Sequence, residues 1–174
     1  MNPPLPHNFS RSPVEEVCCS LELITQPILI TVAPPYPGWG SIKTRLTDEI
    51  TGLRDINEVT RCSLQYRDRF LLDEDGFSRI INEIKSDLFH INQITGIEFM
   101  IIPIIQRMEH QISVRTRYEV GDHPSWILIF NLQTYTSFKP ETPADILSWF
   151  DKAHAIIHTL FDQIVPEEII ELIK

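Results

Sequence analysis

The chain has 174 residues, which suits a single domain and is enough to bury a core without metals or disulfides. Its 24 aspartates and glutamates outnumber its 15 lysines and arginines, so the formal net charge is −9. This acidity excludes broad, non-specific adhesion to nucleic acid or to anionic lipid, while a local basic patch remains compatible with it.

The cysteines and the N-terminus predict a cytoplasmic location without membrane association. The chain has three cysteines, Cys18, Cys19 and Cys62. An odd count without the spacing of a disulfide framework or a zinc site favours reduced thiols. The first residues lack the charged and apolar regions of a signal peptide. The most apolar stretch, residues 97–105, contains a glutamate and a proline and is too short to cross a membrane.

The first half of the chain predicts strands on either side of a short helix. Proline-rich residues 1–13 predict an extended tail, and the single α+β domain is expected to span residues 14–174. Alternating apolar and polar side chains are typical of a half-buried strand. The predicted elements are a strand over residues 14–23, a second strand or its continuation over 28–32, a helix from Ser41 as its cap to Gly52, and a strand over 59–72.

The second half predicts a hairpin followed by a long amphipathic helix. Thr142 and Pro143 form its start signal, since threonine caps helices and proline suits the first helical position. The other predicted elements are a helix from Phe77 to about Phe89, a strand over residues 97–105, and hairpin strands over 107–120 and 126–138. The predicted fold class is therefore α+β, with a mostly antiparallel sheet of about five strands packed against a long C-terminal helix and one or two shorter helices.

Three segments resemble a sporadically distributed, uncharacterised prokaryotic protein family. Residues 12–18 are similar to its Pro-x-x-Glu first strand, and Asp151-x-x-His154 to its Asp-x-x-His C-terminal helix. Residues 64–70 are similar to its Leu-Arg-Tyr-x-Asn-Arg-Ile strand, with Gln65 and Asp68 departing from that pattern. The resemblance implies a single α+β domain, and it implies no established activity.

Arginines form the first candidate binding site. Six of them fall on the solvent-side faces of two predicted strands, and a guanidinium group suits phosphate or carboxylate. If the strands are neighbours, these side chains form one patch; the alternative is a solvated face on which they pair with Glu109, Glu119 and nearby acids. The six are Arg61, Arg67, Arg69, Arg107, Arg115 and Arg117.

A histidine stripe on the last helix is a weaker candidate metal site. His154 and His158 are one helical turn apart, and Asp151 precedes them by a further turn, so the three would share a face. No glutamate is placed as in the His-Glu-x-x-His motif. The alternative is that the imidazoles border the core. Tyr36 and Trp39, in a loop rich in proline and glycine, would either form a contact surface for a partner or fold back onto the core.

These residues favour a non-enzymatic binding module that engages a protein or nucleic-acid partner through the arginine-bearing sheet face. One alternative is a small-ligand binder with a cavity between a curved sheet and the C-terminal helix. A second alternative is a metal-dependent enzyme that uses the His154 and His158 face. No cofactor is expected, since no nucleotide-binding or nucleophile motif occurs in the sequence. The oligomeric state is open, with a homodimer among the options.

Overall fold

The computed structural model of this chain describes residues 14–72, 75, 104–105, 108–119, 125–137 and 139–165. The predicted tail, the predicted helix from Phe77 and most of the predicted strand over 97–105 lie outside these residues. The extent of the single domain and the number of shorter helices therefore stay predictions.

One antiparallel sheet forms the centre of the molecule. Its strands are β1 (Val14–Leu23), β2 (Ile28–Val32), β3 (Val59–Leu72), β4 (Ile104–Ile105), β5 (Met108–Glu119) and β6 (Ser125–Ser137). Their order is β2-β1-β3-β6-β5-β4, and every neighbouring pair runs antiparallel. The α+β class with an antiparallel sheet is confirmed, and β1 and β3 begin and end where the alternation predicts.

Period-two alternation separates the two faces of this sheet. On β1, Val17, Cys19 and Leu21 are buried, and their neighbours in sequence face the other way. The same division on β3 buries Leu64 and Phe70. Since paired residues in a sheet point to the same side, the printed register fixes which side chains share a face.

Among the described residues, two α-helices pack on the buried face, namely α1 (Trp39–Thr51) and α2 (Pro143–Ile164). A single turn of 3-10 helix over Ile56–Glu58 leads into β3. Both α-helices contribute to one hydrophobic core together with the inward side chains of the strands. Its largest fully buried members are Phe130, Phe150, Leu21, Ile42, Leu46, Ile50, Leu64, Leu128, Leu132 and Ile146.

The start of α1 differs from the prediction. The helix begins at Trp39, and its N-cap is Gly38, which makes no side-chain cap. Gly38 has φ +83°, a conformation that glycine adopts without the strain of a Cβ atom. Ser41 was predicted to be the cap, but its Oγ instead donates to the carbonyl oxygen of Pro37 at 3.2 Å. Gly52 ends the helix as predicted.

The start of α2 is the one that the sequence predicts. Thr142 is the N-cap, and its Oγ1 accepts from the backbone N–H of Asp145 at 3.3 Å. The Asp145 carboxylate in turn accepts from the Thr142 N–H at 2.7 Å, which completes a capping box. These hydrogen bonds lower the pKa of Asp145. The cap therefore directs the chain into the helix that covers the sheet.

Replacement of this cap is expected to destabilise the fold. Thr142→Ala removes the acceptor for a helix N–H, so the free energy of unfolding should fall by about 1 kcal/mol in urea denaturation. Thr159→Ala is the matched control, because the exposed Thr159 hydroxyl only donates to the Ala155 carbonyl within the same helix. Equal losses in the two variants would show that the cap makes no specific contribution.

Candidate functional site

The outward side of the sheet carries the candidate arginines. This surface, the polar sheet face, comprises the outward residues of β2, β1, β3, β6 and β5. Arg61, Arg67 and Arg69 lie on it from β3. Arg115 and Arg117 share it by register, since Arg69 and Arg115 pair with the same residue of β6. Arg107 lies outside the described residues.

The two arginine-bearing strands are not direct neighbours. β6 lies between β3 and β5, and its Ile129 separates Arg69 from Arg115. Two strand spacings amount to about 10 Å between the backbones at Arg69 and Arg115. The alternation agrees with the outward positions of the β3 arginines, but it contained no signal for the intervening strand.

Glutamates of β1 lie beside each arginine of β3. The closest N–O distances are 3.5 Å for Arg61 and Glu22, 3.6 Å for Arg67 and Glu16, and 3.9 Å for Arg69 and Glu15. The six side chains keep between 34% and 48% of their surface exposed. Exposed pairs at such distances each contribute about 0–1 kcal/mol, so an incoming anion or cation can replace either partner at little cost.

An irregularity in β1 makes two of these pairs possible. The register shifts between Val14 and Glu16, so that Glu15 and Glu16 both reach arginines of the polar sheet face. In a regular strand, successive side chains would point to opposite sides. The bulge therefore matches two consecutive acids to Arg67 and Arg69, which are two positions apart.

Between the charged ends, the face is neutral and internally hydrogen-bonded. Gln65 Nε2 donates to Asn131 Oδ1 at 2.6 Å, and Gln133 Nε2 donates to Ser63 Oγ at 2.9 Å. The Arg61 guanidinium lies over the Tyr135 ring, 4.4 Å from its centroid. These cross-strand contacts depend on register, which explains why the sequence alone did not predict them.

The predicted histidine face lies inside, against the sheet. Tyr66 on β3 contacts His154 on α2, with 3.0 Å between the hydroxyl oxygen and Nδ1. The Tyr36 hydroxyl lies 3.0 Å from that of Tyr66 and extends the chain of hydrogen bonds toward the surface. The Trp39 ring stacks on His154 with centroids 4.3 Å apart, so Trp39 folds back onto the core.

Asp151 holds the two helices together. Its Oδ1 accepts from Trp39 Nε1 at 3.1 Å, and its Oδ2 accepts from Lys43 Nζ at 2.5 Å. Trp39 and Lys43 both belong to α1, whereas Asp151 belongs to α2. Both carboxylate oxygens are therefore engaged by α1. This arrangement accounts for Asp151 as a structural contact.

Burial disfavours the charged form of both imidazoles. It lowers the pKa of His154 to about 3, with a smaller lowering contribution from His158 and an opposing one from Asp151. Burial also lowers the pKa of His158, whose Nε2 is buried and has no hydrogen-bond partner among the described residues. A neutral His154 fits a chain in which the Tyr36 hydroxyl donates to Tyr66, and the Tyr66 hydroxyl donates to Nδ1.

The described residues contain no metal-binding cluster, that is, no group of three or more histidine, cysteine, aspartate or glutamate side chains that could hold a metal ion. His154 and His158 are adjacent, with centroids 4.4 Å apart and rings nearly perpendicular. The carboxylate of Asp151 is turned to α1 instead. A metal site on this helix therefore gains no support from the geometry of the described side chains.

Burial shifts the cysteines and Asp68 toward their neutral, protonated forms. Burial raises the pKa of Cys19 to about 12 and raises that of Cys62 further. Cys18, which is half-buried on the polar sheet face, also has a raised pKa because of burial. Asp68, the polar residue on the apolar side of β3, is buried, and its pKa is raised to about 7. Thiols in this state are poor nucleophiles.

Comparison with known proteins adds no activity to this geometry: no family model, no curated protein and no solved structure matches the chain. This outcome is consistent with the expectation that the resemblance brings no established function. Among the described helices, neither is long and apolar enough to cross a membrane.

Proposed function

We propose that this chain is a non-enzymatic binding module that engages a protein or nucleic-acid partner through its polar sheet face. One observation carries the proposal. Arg67 and Arg69 on β3 and Arg115 and Arg117 on β5 occupy register positions of the same sheet face, with the half-buried Ile129 between Arg69 and Arg115. Forked guanidinium donors grouped around an apolar residue can bind carboxylate or phosphate groups of a partner.

The weakness of the existing ion pairs supports a binding role. Arg67 and Arg69 lie 3.6 and 3.9 Å from their nearest glutamate oxygens, beyond the length of a charge-assisted hydrogen bond. Their side chains remain about 40% and 39% exposed. A partner's anion can therefore bind these donors without first breaking a strong internal contact.

Residue choice on the sheet supports the same proposal. The six described strands contain arginine but no lysine. A face that is only exposed to solvent can carry lysine as readily as arginine, whereas interfaces are enriched in arginine and depleted of lysine. The proposal places the module in the cytoplasm, in agreement with its unpaired thiols. No specific observation on the described residues favours the hypothesis of a small-ligand binder or that of a metal-dependent enzyme.

Charge reversal tests the proposal. The full chain with Arg67→Glu and Arg115→Glu serves as one bait, and the chain with Arg45→Glu and Arg54→Glu serves as the matched control. Arg45 lies on α1 and Arg54 just after it, and both are exposed away from the sheet face. We expect a partner that the unaltered chain and the control capture, and that the face variant loses while retaining its circular dichroism spectrum.

Nucleic acid is tested separately by fluorescence anisotropy with single-stranded and duplex oligonucleotides. Binding through phosphate contacts should weaken steeply as salt rises, because counterions are released when arginines neutralise phosphates. Identical capture by all three baits, together with oligonucleotide binding that the face variant retains, would contradict the proposed role of the arginines.

A further inference from the structure

We infer that the protein partner of the polar sheet face is a second copy of this chain, placed face to face by a two-fold axis that runs parallel to the strands between β1 and β3. The inference rests on the proposed function, since it requires that this face binds a partner. It follows from the positions of charges and apolar groups in the register of four strands.

The first step is the arrangement of charge in two columns. β1 carries Glu16 and Glu22 on this face, and β3 carries their register partners Arg67 and Arg61. An axis between the two strands places β1 of one copy opposite β3 of the other, at the same height along the strands. Each glutamate then faces the arginine that is equivalent to its own partner, so the contact is isologous and complementary.

Other two-fold arrangements of the same faces lack this property. An axis across the strands would exchange the two ends of each column, and Arg61 of one copy would then face Arg67 of the other. Like charges placed opposite each other at an interface repel and weaken association. The charge pattern thus selects one orientation of the axis.

The second step concerns the apolar side chains. Leu29 on β2 is 62% exposed, although it is a large hydrophobic residue. In the register it lies in one row with Ser20, Ser63 and Tyr135. The same axis exchanges β2 with β6, so Leu29 of each copy lies opposite Tyr135 of the other, beside the Arg61 guanidinium that covers that ring. The two serines, which are small, lie at the centre and allow the sheets to approach closely.

The size of this surface predicts a weak dimer. Four strands about 4.8 Å apart, over seven residues of about 3.3 Å each, give a face of roughly 19 by 23 Å. Two such faces bury on the order of 900 Å², which is below the range of stable complexes. Association should therefore depend on concentration and, because it involves exposed ion pairs, should weaken as salt rises.

The experiment measures molar mass by sedimentation equilibrium across a wide range of protein concentration at low salt. The unaltered chain should shift from the 20.2 kDa monomer toward twice that mass. Arg67→Glu and Glu16→Arg should each raise the dissociation constant at least about tenfold, because each places like charges opposite one another. A mixture of the two variants should recover association, since the substituted positions then face opposite charges in both halves of the interface.

Recovery in the mixture excludes misfolding as the cause of the losses. Arg45→Glu, on the helical side of the molecule, should leave the dissociation constant unchanged, and Leu29→Ser should raise it without changing the salt dependence. A monomer at every concentration, or losses that the mixture does not reverse, overturns the inference. If the chain stays monomeric but the bait experiment still finds an arginine-dependent partner, the proposed function stands without the dimer; if both fail, both are wrong.

Discussion

Acidification from pH 6.5 to about pH 4 is expected to destabilise an Asp68→Asn variant more steeply than the unaltered chain. Two buried groups act in opposite directions over this range. His154 has its pKa lowered from 6.5 to about 3, so the unfolded chain takes up a proton that the folded chain refuses. Its contribution is complete above pH 6.5 and is lost as the pH falls toward 3.

Asp68 acts with the opposite sign. Burial raises its pKa from 3.8 to about 7, so the folded chain keeps a proton that the unfolded chain releases. Its contribution is complete below pH 3.8 and is lost as the pH rises through 7. A single group of either kind changes the free energy of unfolding by at most about 1.4 kcal/mol per pH unit, and in the unaltered chain Asp68 offsets part of the slope that His154 and His158 produce.

Single variants separate the two slopes in urea denaturation at several pH values. Asp68→Asn leaves the His154 contribution unopposed, so stability should fall by up to about 1.4 kcal/mol for each unit below pH 6.5. His154→Asn should reverse the slope, less steeply, because His158 also has a lowered pKa. Parallel pH profiles for the unaltered chain and both variants would contradict the assignment of these two groups.

Removal of the Tyr66 hydroxyl is expected to cost about 1–3 kcal/mol of unfolding free energy at neutral pH. This hydroxyl is the middle member of the chain that links Tyr36 to His154, with both distances 3.0 Å. Tyr66→Phe keeps the ring and its packing but leaves Nδ1 of the imidazole without its partner. A buried acceptor that loses its donor no longer has a hydrogen bond to replace the one it made to water in the unfolded chain.

Tyr36→Phe is the control for that variant. It removes the outer hydroxyl and leaves the bond between Tyr66 and His154 in place, so its loss should be smaller than that of Tyr66→Phe. Denaturation of both variants in urea at one pH measures the difference. Equal stabilities of Tyr66→Phe and the unaltered chain would show that the hydrogen bond between Tyr66 and His154 contributes nothing to the stability of the fold.

The strands that are half-buried were the most predictable part of this fold. β1 and β3 alternate between the register shifts at the two ends of their pairing, and there each side chain's face follows from local sequence. The start of α2 was equally predictable from the sequence, because the capping signals of Thr142 and Pro143 lie within a single helical turn. By contrast, α1 begins at Trp39, whose ring packs on His154, more than a hundred residues away in sequence. Local capping preferences contain no information about such a contact.

The candidate site was predictable in its residue types and not in its geometry. The alternation placed Arg67 and Arg69 outward, and Arg69 and Arg115 have the same register partner on β6. The sequence could not show that β6 separates them, because strand order depends on packing and connections between distant segments. Nor could it show that Asp151, which seemed poised for a metal, is held by Lys43 and Trp39 of α1.

The bulge at the start of β1 has a consequence for recognising related chains. Since it turns Glu15 and Glu16 to the same side, the acidic doublet records an inserted residue in the strand. A homologue that kept both acids in a regular strand without the bulge would direct one of the two carboxylates into the apolar layer, where an ionised group is strongly disfavoured. Alignments of such relatives should therefore place a one-residue gap at this doublet wherever the second acid is replaced by an apolar residue.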